Sequence, residues 1–133
     1  MPIPEGFHTI TPYLVVRGAA KAIDLYIRAF GAESGLRDDH PDGRVRHAQI
    51  RIGNSHLMIT DGSQEYTFMK PVQEHDGSPI QLFLYVEDAD ALFKRCLECG
   101  METVMPVEDH PYGRGGGVRD PFGFIWWLTT AQA

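Results

Sequence analysis

Cysteine is scarce: Cys96 and Cys99 are the only two in 133 residues, too few and too close in sequence for a disulfide framework. Positive charge is in deficit too. Twelve Lys and Arg stand against eighteen Asp and Glu, a formal charge of −6 with a pI near 5.4. No net electrostatic attraction to nucleic acid or anionic lipid is therefore available. No run approaches the roughly 20 apolar residues that cross a bilayer. Met1-Pro2-Ile3-Pro4-Glu5 lacks the basic and apolar regions of a signal peptide. The expectation is a soluble cytoplasmic protein that binds neither nucleic acid nor membrane. What is present is an ordinary globular composition, 43% hydrophobic and 23% charged, in a length that suits a single domain over residues 1–133 with a packed core. The charge suits a small neutral or cationic ligand better than a polyanion.

Thr9 to Val16 is rich in β-branched and aromatic residues and breaks at Arg17-Gly18, the pattern of a strand ending in a turn. Pro12 places it at an edge or at a strand start. Ala22, Ile23, Tyr26 and Phe30 follow at helical spacing before Gly31, so 19–30 is an amphipathic helix with a glycine stop. Asp38 to Gly43 is a polar turn cluster. His47 to Ile52 and His56 to Asp61 alternate around Gly53-Asn54, which predicts a hairpin. Alternation puts Ala48, Ile50, Ile52, Leu57 and Ile59 on one face, and His47, Gln49, Arg51, His56, Met58 and Thr60 on the other.

The order then recurs. Pro79 to Val86 reads as a strand, Asp88 opens a helix running through Cys99, and Gly100 ends it. Overlaying Leu14-Val15-Val16 on Leu84-Tyr85-Val86 sets an offset of 70 that also carries Gly53 onto Gly123, two landmarks for one duplication. Module one spans about 7–64, module two about 78–131, and 65–77 links them. Neither half can bury both faces of a sheet alone, so paired sheets with a shared concavity are expected.

The duplicated βαβββ unit, "TPYLVVRGAAKAIDLYIRAFGAE" near the start and "VRDPFGFIWWLTT" near the end resemble the vicinal-oxygen-chelate superfamily, and within it the PhnB-like glyoxalase/bleomycin-resistance group. The resemblance implies an α+β fold of two paired βαβββ modules forming a cup-shaped mixed sheet. It also implies a homodimer in which cups often form between chains. The superfamily's metal enzymes hold a divalent ion with His, Gln or Glu, one from the first strand and one from a late strand of each half. The matching positions are Thr11, Met58, Gln81 and Trp127, of which only Gln81 is a ligand type. No metal and no cofactor are expected.

The resulting cup surface is Thr11, Tyr13, Val15, His47, Gln49, Met58, Thr60, Gln81, Phe83, Tyr85, Trp127 and Thr129. Such an aromatic, amide- and hydroxyl-bearing surface suits a flat small molecule. The ligand-binding candidates are Tyr13, His47, Gln49, Gln81, Phe83, Tyr85, Tyr112, Arg114 and Trp127. Tyr112 and Arg114 fall in "HPYGRGGGVRDPFG", which resembles a rim segment of the family, and 113–117 reads as a mobile loop because no helix follows its glycines. His47 is the candidate catalytic residue, with Gln49 or Gln81 as its partners. The other histidines, His8, His40, His56, His75 and His110, read as solvated. Cys96 and Cys99 sit at a helix end that disfavours a thiolate. Phe122 and Trp126 are assigned to the core. The functional expectation is a metal-free small-molecule binder. The alternative is a lyase or isomerase using His47 with Gln81 or Arg114, and a second is a scaffold whose cup is filled by Trp127 and Phe83.

Overall fold

The computed structural model describes residues 3–62, 70–74 and 80–132, and the chain divides into two compact units, Met1–Glu74 and His75–Ala133. Most of the expected linker, and the inner ends of the two expected modules, lie outside the described residues, as does His75.

The first unit runs β1 (Tyr13–Val15), α1 (Ala19–Phe30), β2 (Glu33–Asp39), β3 (Val45–Ile52) and β4 (Ser55–Thr60). Its sheet order is β1-β4-β3-β2, with β1 parallel to β4 and the other pairs antiparallel. β1 is shorter than the alternation suggested. Pro12 has no N–H to give the ladder, although its carbonyl still accepts from the Met58 N–H at 2.9 Å. Ala22, Ile23, Leu25, Tyr26 and Ala29 bury one stripe of α1, and Leu14, Val45, Ala48, Ile50, Leu57 and Ile59 are the buried apolar side chains of the sheet. Each large one stabilises by about 1.5–3 kcal/mol. Asp38 and Asp39, read as part of a turn, instead finish β2, an edge strand exposed along its whole length. With neither face buried it carries no alternation to detect.

The N-terminus of α1 has no cap of its own, because Gly18, left-handed there (φ 91°), has no side chain to accept a hydrogen bond. Asp61, just past β4, supplies the acceptor: Oδ1 takes the Gly18 and Ala19 N–H groups at 2.8 and 3.1 Å, and Oδ2 takes Val45 N–H at 2.7 Å. One carboxylate thus joins the helix start to two strands.

The second unit repeats the plan with β5 (Leu82–Tyr85), α2 (Ala89–Glu98), β6 (Glu102–His110), β7 (Gly113–Arg119) and β8 (Ile125–Ala131), ordered β5-β8-β7-β6. The fold is α+β, two βαβββ modules. The offset of 70 holds through the first strand and helix, and the last strand is one residue out of step: Leu14 pairs Ile59 where Leu84 pairs Leu128. Asp88 caps α2 by accepting Ala91 N–H at 3.0 Å, and Thr130 Oγ1 accepts Ala89 N–H at 2.9 Å.

The glycine run corrects the sequence reading. Residues 113–117 are strand, paired to β6 and β8, and their bareness serves packing rather than mobility. A Cβ at Gly116 would lie 2.8 Å from the Met105 carbonyl oxygen. The Asp-Pro-x-Gly turn has its own hub: buried Asp120 accepts Phe122 and Phe124 N–H on Oδ1 at 2.9 and 3.0 Å, and the Trp126 indole N–H on Oδ2 at 2.8 Å. Trp126 is core as expected, but its buried companion is Phe124, while Phe122 is only half-buried.

Candidate functional site

In the first unit the sheet face away from α1 carries Tyr13, His47, Gln49 and Met58. Cross-strand register sets Tyr13, Met58 and Gln49 in one row, since Tyr13 pairs Met58 and Met58 pairs Gln49. His47 lies beside it, with Nδ1 2.9 Å from the Tyr13 hydroxyl and Nε2 3.5 Å from the Gln49 Nε2. Both contacts are satisfied when Nδ1–H donates to the Tyr13 oxygen and Nε2 accepts from the Gln49 amide. The Gln49 pairing was expected and is the long one. Tyr13 is the closer partner, and its place on the His47 face was already legible from alternation in β1. Partial burial raises the Tyr13 hydroxyl above its ordinary value, so the phenol keeps its proton.

Two threonines expected on this kind of surface are not on it. Thr60 and Thr129 are both 2% exposed. The Thr60 hydroxyl is spent on backbone, donating to Arg46 O at 2.7 Å and accepting Gly62 N–H at 2.9 Å.

In the second unit the face away from α2 is aromatic. Gly117 pairs Trp127, which pairs Phe83; Gly115 pairs Thr129, which pairs Tyr85. A Cβ on Gly117 would stand 2.6 and 2.7 Å from two carbons of the Trp127 six-membered ring, so the indole lies against the bare backbone of β7. Its Nε1–H donates to Gln81 Oε1 at 2.7 Å. Gln81 therefore fixes the Trp127 ring, a role the sequence reading did not give it. Beside the indole, Phe83 is centred 5.2 Å from Tyr85 and 6.3 Å from Tyr112, which stacks on His110 at 5.0 Å. Phe83, Tyr85 and Tyr112 are 46%, 74% and 54% exposed, a cluster of open rings.

Arg114 is not part of that cluster. Residues 115 and 117 face Thr129 and Trp127, and alternation sends Arg114 to the α2 side of β7. There its Nε and Nη2 bind Asp90 at 2.7 and 3.1 Å and its Nη1 binds Asp109 at 3.0 Å. Those bonds raise the Arg114 guanidinium and hold the Asp90 carboxyl below its ordinary range. Nor are all the other histidines merely solvated. His56 stacks on Phe7 at 4.0 Å and its Nδ1 donates to Gly6 O at 3.0 Å, and His110 stacks on Tyr112. Cys96 is buried, which pushes its thiol up to about 12 and removes it as a nucleophile.

The side chains at the four positions matched to the family's metal ligands do not fit a divalent ion. Register makes Met58 and Trp127 equivalent, opposite Tyr13 and Phe83 respectively. A thioether is a soft ligand, an indole N–H offers no lone pair, and the Gln81 oxygen already accepts from that indole. Among the described residues no three His, Cys, Asp or Glu side chains gather where they could hold an ion. No described helix is long and apolar enough to cross a membrane.

The model of the Glyoxalase/Bleomycin resistance protein/Dioxygenase superfamily matches residues 6–128. An uncharacterized protein of Mycobacterium bovis is 39% identical over 122 residues, covering 90% of this chain and 80% of that one. Among solved structures, TioX from Micromonospora sp. ML1 is 28% identical with a TM-score of 0.75, over 94% of this chain and 99% of TioX. A PhnB protein from Bacillus cereus is 22% identical with a TM-score of 0.73, over 93% and 100%. TnmS3, an antibiotic binding protein from Streptomyces sp. CB03234, is 23% identical with a TM-score of 0.71, over 99% of each chain.

Proposed function

The chain belongs to the glyoxalase/bleomycin resistance/dioxygenase superfamily, and from that premise we propose that it binds a flat, conjugated small molecule without transforming it and without a metal ion. The observation that carries this reading is the Trp127 indole, backed by Gly117 and pinned by Gln81, with three open rings beside it. A ring already held against a sheet loses little further freedom when a second ring stacks on it, so more of the contact energy goes into affinity. The antibiotic-binding neighbour TnmS3 supports a small molecule as the ligand.

The test is fluorescence titration with neutral and cationic planar aromatic compounds. The protein has two tryptophans, Trp126 in the core and Trp127 on the face, so a contact on the face reports through Trp127. Saturable quenching that disappears in Trp127→Ala supports the binder. Silence across the set supports a scaffold instead. The cytoplasmic homodimer implied by the family belongs to the same proposal. Native mass spectrometry reads its subunit count, and a stoichiometric divalent ion in that spectrum overturns the metal-free reading.

A second reading is favoured by the 2.9 Å contact between Tyr13 and His47: a lyase or isomerase in which His47 Nε2 takes a proton while Nδ1 is held by the phenol oxygen. Gln81 and Arg114, its expected electrophiles, are engaged with Trp127 and with two aspartates. Turnover abolished in His47→Gln and retained in Trp127→Ala decides for the enzyme.

A further inference from the structure

Residues 3–11 precede β1 and have no place in the binder argued above, yet they cross the open face of the first sheet. They are held at one point. The Gly6 carbonyl accepts from His56 Nδ1 at 3.0 Å, Phe7 stacks on the same imidazole with ring centres 4.0 Å apart, and the Phe7 N–H closes a turn on Pro4 O at 3.0 Å. Gly6 is left-handed (φ 84°), and a Cβ there would sit 3.3 Å from His56 Cε1, so glycine serves both the turn and the close approach. Beyond this catch the chain is slack: among the described residues no hydrogen bond holds residues 8–11, and Ile10 is 83% exposed. Pro12, with its fixed φ, ends the slack at the sheet. Between the segment's Ile3, Pro4, Phe7 and His8 and the sheet's Gln49 and Met58 lies a hollow of about 340 Å³, so the segment bridges over the sheet instead of packing on it.

We infer that residues 3–11 are a flap that gates the open face of the first sheet, latched on His56 and hinged over residues 8–11. Every residue from 3 to 10 except Phe7 is exposed, so little apolar surface is uncovered when the segment lifts. A piece of chain pinned by one hydrogen bond and one ring stack therefore opens at far lower cost than the strands beneath it. A few unbonded residues between a catch and a proline are enough to absorb the change in φ and ψ. Closed, the flap shelters Met58 and leaves only the hollow beneath it for small molecules. Open, it bares His56 and Met58 to solvent. The gate concerns access in the first unit and names no ligand, so it can fail without the aromatic binder, and the binder without it.

The test uses the full chain with its methionine methyl groups isotopically labelled and a neutral gadolinium chelate in solution, which speeds the relaxation of any methyl that solvent reaches. Phe7→Ala removes the stack, and Gly6→Ala strains the left-handed turn. Both changes lie on the segment itself, outside the core of the first unit. Losing a ring pair lowers the closing equilibrium about 2- to 12-fold, and the Met58 methyl is expected to relax at least about twofold faster in each variant than in the wild type. Phe7→Tyr keeps a ring on His56 and should hold Met58 at the wild-type rate. Met101, 4% exposed in the second unit, is the internal control and keeps its rate throughout. A Met58 rate unchanged in both alanine variants overturns the inference, and so does a rise that Met101 shares, which is general loosening and not a gate. Quenching of Trp127 plays no part in this readout, so its outcome stays distinguishable from that of the aromatic binder.

Discussion

Gly117→Ala is the sharpest probe of the aromatic face. Gly117 is not among the residues at positive φ, so alanine adds no backbone strain and its whole effect is one methyl group under the Trp127 ring. That methyl would stand 2.6 Å from the nearest ring carbon, about 1 Å inside the usual carbon–carbon separation. The indole must lift by about that distance, which breaks the 2.7 Å bond to Gln81. Overpacking of this kind costs about 1–3 kcal/mol of stability. The loss of a pre-set stacking partner, worth about 0.5–1.5 kcal/mol, raises the Kd for a planar ligand roughly 2- to 12-fold. The assay is a double-mutant cycle by urea denaturation, with Trp127→Ala as the second change. Once the indole is gone the methyl has room, so the cost of Gly117→Ala should fall by at least about 1 kcal/mol. An unchanged cost in the Trp127→Ala background refutes the claim that the ring rests on Gly117.

Three further outcomes follow from the same structure. Asp120→Ala strips acceptors from two backbone N–H groups and the Trp126 indole, and should cost about 3 kcal/mol or more in urea denaturation, since buried donors left unpaired are expensive; a loss below about 1 kcal/mol contradicts that role. Cys96, raised from 9.0 to about 12 by burial, should resist a thiol reagent at pH 8 in the native protein and react only on unfolding. Because the unfolded thiol ionises first, this group contributes stability that is full below pH 9 and declines as pH rises from 9 toward 12, a slope that Cys96→Ala should flatten in alkaline melts. Asp90, depressed chiefly by its hydrogen bonds to Arg114, contributes stability that is present above its unfolded value of 3.8 and is lost as pH falls through the lower folded value. A carboxyl titration by nuclear magnetic resonance should show that depression in the wild type and its reversal in Arg114→Gln, and an unshifted Asp90 in the wild type contradicts the pairing.

Much of the architecture could be read from residues because one face of each sheet is buried. The Ala48, Ile50, Leu57 and Ile59 alternation, the α1 stripe and the 70-residue offset all report that burial. β2 and β6 left no such trace, being edge strands with few buried side chains. The glycines of β7 misled for a related reason: glycine marks both loose chain and tight approach, and only the neighbour above Gly117 tells which. At the site, composition and alternation gave the aromatic face, and Tyr13, His47 and Gln49 do gather. Hydrogen-bond assignments were beyond reach. That Gln81 holds Trp127, and that Arg114 turns to Asp90, depends on side-chain directions that a one-residue change of face reverses. Thr60 and Thr129 sat on the right face by parity, but neighbouring chain covers them.

The carboxylate of Asp61 has a consequence for the order in which the chain can take shape. The first helix waits for residue 61 to secure its leading end, whereas the second carries Asp88 at its own threshold and gains Thr130 only later. During synthesis on the ribosome, the amino-terminal helix thus emerges some forty residues before its acceptor, and the carboxy-terminal one emerges with one of its two acceptors already in place. The start of the first helix is thus tied to a distant strand end, and that of the second to a neighbour in sequence as well.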